Sequence, residues 1–393
     1  MKILQVSHSF IPCFDSGGVV RVVYEISKDL VARGHDVTVY TTDGCTKRLD
    51  VQLNSPVELD GIRVYYFRNI SNWLRMKLKL ATPYSMLRVM RNEIEDFDII
   101  HIHEHRTITA VIASYYAKKN GIPYIIQDHG SALPFFQKST FKKIFDRLWG
   151  DAMFKYASRV IALTEAEVEQ YKEVGVDTAK IEVVPNGINL SEYEDLPEKG
   201  EFRGKYDIKP DERIILYLGR LNKIKAPDLL IKSFAELSNE MKCVKLVMVG
   251  PDDGCMENLN HLLRSKDLED KVLFTGPLYN QDKLEAYVDA DIYVLPSLYE
   301  TFPNTVIEAC ACGTPVVITD RCGISQMIAD NVGIVVEYDK NSLKDGLIRI
   351  LVDDELREKF EARCSDFVEE YFNIHNVIDS LESIYLNSRK QEL

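Results

Sequence analysis

The sequence predicts an α/β protein of two Rossmann-like domains, each a doubly wound parallel sheet with helices on both faces, facing a central cleft. Three observations carry this reading. Short apolar strands alternate with amphipathic helices from the start of the chain, the alternation breaks once near residues 185–204, and it then resumes. At 393 residues and 46% hydrophobic content the chain is long enough for two well-formed cores.

Taken in order, Lys2 to Ser7 is a short apolar strand. After Gly17-Gly18, the residues Val20, Val23, Tyr24, Ser27, Leu30 and Val31 recur at helical spacing and stop at Gly34, and Val37 to Thr41 reads as the next strand. Further strands are expected near 62–67, 98–103, 122–127 and 158–163, with helices near 107–120, 141–157 and 164–173. Pro185-Asn186-Gly187 and the polar run from Ser191 to Gly204 read as the linker. The second series has strands near 213–218, 244–249, 271–275, 291–295 and 315–318, with helices near 227–240, 280–289 and 304–312. The chain from about 341 onward is expected to be helical. Domains are placed at 1–195, completed by a C-terminal helix at about 373–393, and at 196–372.

Charge and cysteine content narrow the function classes. Of 48 Lys/Arg and 61 Asp/Glu, residues 1–190 hold 24 and 22, so this half is net +2 and the remainder, with 24 basic and 39 acidic residues, is net -15. Nucleic acid is not an expected partner, because its binding is dominated by phosphate neutralisation. Eight cysteines without a CxxC pair read as reduced cytosolic thiols. No signal core and no stretch of ~18 apolar residues is present, so a cytoplasmic chain is expected, with peripheral attachment to the inner face of the cell membrane as an option.

The richest segment runs from Pro296 to Pro315. A strand ends, a loop carries Glu300, and a helix opens near Asn304 and stops at Gly313. The first turn of such a helix offers unpaired amides and a positive dipole end to a phosphate, and Glu308 is placed to accept hydroxyl donors. At the end of the second domain's first strand, Arg220 and Lys225 precede a helix opened by Pro227; a guanidinium and an ammonium there suit a diphosphate. In the first domain, Gly17-Gly18 allows close approach of a backbone amide to an anion but does not satisfy GxGxxG, which counts against a dinucleotide cofactor. His129 falls just beyond a strand, at the carboxyl edge where such sheets bind ligands, though a lone histidine there is more often structural. Asp252-Asp253 reads as an acidic turn. His101, His103 and His105 alternate along a strand end as zinc ligands could, but no supporting cysteine pair accompanies them, and no metal is expected.

Residues 61–92 contain Arg63, Arg68, Arg75, Lys77, Lys79, Arg88 and Arg91 and no acid, interleaved with Trp73, Tyr84 and leucines. Lys138, Lys142, Lys143 and Arg147 lie among Phe141, Phe145 and Trp149. Such runs suit an anionic membrane surface, or equally a solvated helix face packed on the sheet.

Together these residues resemble the retaining glycosyltransferases of family 4, with the two-domain GT-B architecture. The resemblance covers nearly the whole chain: Gly17-Gly18, Asp98-Ile99-Ile100-His101-Ile102-His103, His129-Gly130, Val184-Pro185-Asn186-Gly187, Gly219-Arg220 with Lys225, and the E-x7-E spacing of Glu300 and Glu308. It implies that Arg220 and Lys225 grip the donor diphosphate and that Gly17 and Gly18 approach its distal phosphate. Glu308 would take the ribose hydroxyls and Glu300 the hydroxyls of the transferred sugar. The amides of Phe302, Pro303, Asn304 and Thr305 mark the phosphate and sugar subsite (Pro303 itself has no N–H), His129 lies near the reacting face of the sugar, and Leu278 packs the nucleobase. His129, Glu300, Arg220 and Lys225 are the expected catalytic set. The implied reaction moves a sugar from a nucleoside-diphosphate donor to a sugar, lipid-linked or other hydroxyl acceptor with retention, without cofactor or metal, in polysaccharide, glycoprotein glycan or glycolipid assembly. A GT-B epimerase or hydrolase, or a non-catalytic nucleotide-sugar-binding subunit, are the alternatives. One departure is Cys322-Gly323-Ile324-Ser325-Gln326, where the family often has two glycines and an acid.

Overall fold

A computed structural model describes residues 1–13, 17–72, 82–133 and 139–390. Trp73, Arg75, Lys77 and Lys79 of the basic stretch, and Lys138, therefore lie outside the described residues. The chain divides into two compact units, Met1–Gly187 with Ile374–Leu393, and Ile188–Asn373.

The first unit is built on eight strands: β1 (Lys2–Val6), β2 (Asp36–Thr42), β3 (Val57–Leu59), β4 (Ile62–Phe67), β5 (Ile99–His103), β6 (Tyr124–Gln127), β7 (Arg159–Ala162) and β8 (Ile181–Val183), in the order β3-β4-β2-β1-β5-β6-β7-β8. Among the described residues every pairing is parallel except β3 with β4. Alternate residues feed two cores. Leu4, Val6, Ile100, Ile102 and Ile126 fill one, and Ile3, Val37, Val39, Ile99, Ile125 and Ile161 fill the other. The strands are apolar on both faces because both faces are covered. The helix Ile374–Lys390 supplies part of that cover through Ile378, Leu381 and Tyr385. It is also tied by Glu382 to Arg33 at 2.7 Å and to His35 at 2.5 Å. A Cβ on Gly187 would come within 2.7 Å of the Ile374 backbone, which explains a glycine where the chain passes that helix.

The second unit carries β9 (Arg213–Leu218), β10 (Val244–Val249), β11 (Val272–Gly276), β12 (Ile292–Leu295), β13 (Val316–Thr319) and β14 (Gly333–Val336), ordered β11-β10-β9-β12-β13-β14 and wholly parallel. Apart from the antiparallel β3–β4 edge, the strand order of the first sheet reverses between β1 and β5, and that of the second reverses between β9 and β12. In doubly wound sheets ligands bind outside the carboxyl ends of the strands at such a reversal.

Two expectations are corrected. Cys13 and Cys45 form a disulfide, Cα to Cα 5.6 Å, so these two are not thiols; the other six are free. The physical reason is topological. β1 and β2 pair in parallel, with Val6 beside Tyr40, so the segments leaving their carboxyl ends start side by side. A spacing of 32 residues carries no sign of this. The helix expected over 141–157 is interrupted: Ser139–Phe145 and Asp151–Tyr156 are α-helical, but Asp146–Gly150 is a π turn. The wider turn moves the buried face from Phe145 across five residues to Gly150, Met153 and Phe154, leaving Phe141, Ile144, Leu148 and Trp149 exposed. Asp146 there is held by Arg106 at 2.7 Å.

Candidate functional site

At the β9/β12 reversal the structure brings Lys225 and Glu300 together, with Arg220 on the Lys225 loop and Glu308 on the helix that follows Glu300; Leu278 lies apart from them. Tyr217 closes the end of β9 by donating its hydroxyl to the Arg220 carbonyl at 2.8 Å. Beyond it the chain can cross the loop after β10 only because Gly250, at φ 141, has no Cβ; one would sit 1.9 Å from the Gly219 carbonyl oxygen. Asn222 then shapes an Asx turn, its side-chain oxygen accepting the amides of Ile224 at 3.1 Å and Lys225 at 3.0 Å. The Ile224 carbonyl accepts the Leu298 amide at 2.8 Å, which fixes this loop to the one after β12. Lys225 consequently meets Glu300 in an ion pair. Burial, and then the charge of Arg220, pull the Lys225 ammonium down to about 8, with Cys322 opposing the shift. Lys225 is therefore a cation at neutral pH.

Arg220 is more than half exposed and reaches Asp253 at 3.2 Å, and Asn222 donates to the same carboxylate oxygen at 3.0 Å. Asp252 accepts the amides of Gly254, Cys255 and Met256, as an acidic turn does, and these bonds hold its carboxyl below the ordinary range. Asp253, read as part of that turn, instead partners Arg220. The loop that departs from the family pattern also belongs here. Glu300 donates its amide to the Arg321 carbonyl at 3.2 Å and accepts the Gly323 amide at 2.8 Å.

The helix Asn304–Ala311 follows directly, with Pro303 at its N-cap offering no side-chain acceptor to the first-turn amides. Phe302 is buried, with its ring 5.5 Å from Phe372. Thr305 Oγ1 lies 2.6 Å from the Tyr293 hydroxyl. Glu308, three residues on, is buried and accepts from Lys283 Nζ at 2.9 Å and from the Tyr287 hydroxyl at 3.1 Å. Tyr287 is neutral, its hydroxyl pushed well above the usual range by burial and by Glu308. Leu278, half-buried, sits after β11 at the sheet edge, two strands from β9. Sequence reasoning missed Lys283, Tyr287 and Tyr293. The one signal was the four-residue spacing of Lys283 and Tyr287, which puts both on one face of the helix Asn280–Asp289.

In the first unit, Gly17 caps the helix Gly18–Ala32 at φ 93, beyond the carboxyl end of β1. His129, at φ 50, follows β6 and joins a buried polar chain. Its Nε2 lies 2.9 Å from His103 Nδ1, His103 Nε2 lies 2.8 Å from Gln5 Oε1, and Gln5 donates to the Tyr385 hydroxyl at 3.3 Å. That hydroxyl is 2.9 Å from His101 Nδ1. Burial, and then neighbouring imidazoles, push His101 down to about 3 and His103 well below its ordinary value. Burial pushes His129 to about 4 against the pull of Glu104 and Asp128. His105 is separate. Burial opposes its charge, but Asp128 at 2.7 Å and Asp146 overcome this and raise its pKa. The three histidines are thus engaged in hydrogen bonds or ion pairs, and among the described residues no group of three or more His, Cys, Asp or Glu is placed to hold a metal ion. Glu167, also missed, is fully buried and accepts the amides of Gly130 at 2.6 Å and Leu163 at 2.7 Å; burial pushes it up to about 7 against these two bonds. It anchors the turn that carries His129.

Residues 198–365 match the family described as glycosyl transferases group 1, and residues 16–192 match glycosyltransferase family 4. The chain belongs to glycosyltransferase family 4. This family 4 enzyme is 28% identical to the D-inositol 3-phosphate glycosyltransferase of Kineococcus radiotolerans, over 81% of its own length and 76% of the relative's. It is 27% identical to the UDP-Gal:alpha-D-GlcNAc-diphosphoundecaprenol alpha-1,3-galactosyltransferase of Escherichia coli, over 84% of each. Among solved structures it is similar to Anabaena HepE in complex with UDP, with TM-score 0.80 and 19% identity over 98% of this chain and 99% of that one. The likeness to these structures is one of fold, GT-B with two Rossmann-like parallel-sheet domains.

Proposed function

We propose that this glycosyltransferase moves a sugar from a nucleoside-diphosphate donor to a hydroxyl acceptor with retention of anomeric configuration and without a metal. The observation that carries the reading is the convergence of Arg220, Lys225 and Glu300 above the uncapped start of the helix Asn304–Ala311, at the reversal of the second sheet. Breaking the anomeric bond leaves negative charge on the departing diphosphate, and a guanidinium, an ammonium and helix amides are the groups that stabilise it. Lys225 then exchanges Glu300 for the phosphate, and Glu300 takes up hydroxyls of the transferred sugar. The amides of Phe302, Asn304 and Thr305 hold the phosphate and sugar, and Leu278 packs the base. The leaving phosphate oxygen takes the acceptor's proton on the same face, so no separate base is required. A UDP-sugar donor is supported by the names of two similar proteins, the galactosyltransferase and the UDP complex of HepE. Assembly of a surface polysaccharide or glycolipid is the setting we favour, on the name of the galactosyltransferase.

An anionic membrane is the second partner we propose. Among the described residues no helix is long and apolar enough to cross a membrane. The exposed side chains Phe141, Ile144, Leu148 and Trp149, with Lys143 and Arg147 among them, suit the headgroup layer. The enzymatic reading is tested with a panel of UDP-, GDP- and ADP-sugars, with and without chelator, reading the anomeric configuration of the product by NMR. Transfer with retention in chelator is expected. Inversion, or an absolute metal requirement, contradicts it.

A further inference from the structure

Glu308 is a carboxylate that the fold buries, and a buried carboxylate keeps one orientation only when its partners fix it. Two of its partners come from a single helix. Lys283 and Tyr287 stand one turn apart on Asn280–Asp289, and each approaches a different oxygen, Lys283 Nζ to Oε1 and the Tyr287 hydroxyl to Oε2. Tyr287 is itself immobilised. It has no solvent exposure, its carbonyl accepts the Thr314 hydroxyl at 2.7 Å, and its ring lies 5.8 Å from that of Tyr293. Tyr293 in turn lies beside Thr305, on the same helix as Glu308. The Lys283 side chain is only 13% exposed, which is unusual for a lysine and is explained by this one contact.

We propose that Lys283, with Tyr287, is a positioning residue for recognition of the donor's ribose: the pair clamps both oxygens of Glu308 so that its carboxylate meets the ribose hydroxyls in a fixed orientation. This rests on the reading of the site as a nucleoside-diphosphate site. The ammonium also balances the Glu308 charge, so that a neutral diol, rather than a cation, is the group the carboxylate is left to bind. Two-point fixation makes the site selective, because losing either anchor lets the carboxylate turn about its last torsion and away from the diol.

The test is calorimetric titration with UDP, GDP and ADP and with the 2′-deoxy form of whichever binds, on the wild-type chain and on Lys283→Met, Lys283→Arg and Tyr287→Phe, with circular dichroism as the check on folding. The wild type is expected to prefer the ribonucleotide. Lys283→Met should lower ribonucleotide affinity about tenfold and change 2′-deoxynucleotide affinity less than twofold, Lys283→Arg should regain most of the preference, and Tyr287→Phe should lose part of it. A folded Lys283→Met with the wild-type ratio of ribo to deoxy affinity overturns the proposal, as does an equal loss for both nucleotides, which marks a purely structural role. If the wild type binds none of the three diphosphates, the nucleotide-site reading itself fails and the clamp falls with it.

Discussion

The buried imidazoles beside His129 make the first unit acid-labile by an amount that can be worked out. His101, His103 and His129 are neutral when folded, with values of about 3 for His101 and about 4 for His129, and His103 well below the ordinary 6.5. Unfolded, each binds a proton below about 6.5. The unfolded state therefore holds three more protons from these groups, and stability falls as pH drops below 6.5. Glu167 acts in the opposite sense. Its folded value of about 7 lies above its unfolded one of 4.5, so between those values the folded state holds one proton more, and stability rises as pH falls. The net excess of two protons in the unfolded state gives a slope of about 2.7 kcal/mol per pH unit. That slope is reached only near pH 5, because at pH 6.5 each unfolded imidazole is half protonated; between pH 6.5 and 5 the first unit should lose about 3 kcal/mol, a large part of the usual 5–15 kcal/mol of a domain. Because two units need not unfold together, the assay is hydrogen exchange of the β1, β5 and β6 amides, corrected for intrinsic pH dependence. His101→Asn should halve the slope, and Glu167→Gln should steepen it to about 4 kcal/mol per unit. A flat profile from pH 7 to 5, or identical slopes in all three proteins, would refute the argument.

Other expectations follow from single contacts. Gly187→Ala puts a methyl group against the Ile374 backbone and should destabilise the first unit by about 1–3 kcal/mol in urea unfolding followed by hydrogen exchange. Glu300→Gln should leave nucleoside-diphosphate binding within a few-fold of wild type and lower the rate of sugar transfer by at least tenfold, since its partner Lys225 stays a cation and only the sugar contact is lost. Lys143→Glu with Arg147→Glu should weaken binding to vesicles of anionic lipid by about tenfold at low salt and leave neutral vesicles unaffected; equal binding to both removes the membrane face.

Much of the architecture was readable because parallel strands covered on both faces are continuous apolar runs, and because Pro227, Gly313 and Gly34 punctuate helices by their own backbone chemistry. The spacing of Glu300 and Glu308 was legible for the same reason: a loop and one helical turn are local. What stayed hidden depends on strand order. Cys13 and Cys45 meet because β1 and β2 are neighbours, and His103 meets His129 because β5 and β6 are. Lys283 and Glu308 are 25 residues apart on different helices, and Glu167 reaches back 37 residues to Gly130. No periodicity encodes such pairs. The π turn at Asp146–Gly150 was invisible because a stretch of 3.6-residue pattern on either side hides one extra residue per turn.

The central claim is that Arg220 and Lys225 form a metal-independent diphosphate grip at the carboxyl edge of the second sheet. Calorimetric titration of UDP, GDP and ADP in excess chelator, on the wild type and on Arg220→Ala with Lys225→Ala, tests it most directly. The wild type should bind at least one of the three saturably, and the double variant should lose at least a hundredfold in affinity, about 1.5–3 kcal/mol for each charged contact removed. Affinity that survives the double substitution in a folded protein, or that appears only when a divalent cation is restored, would contradict it.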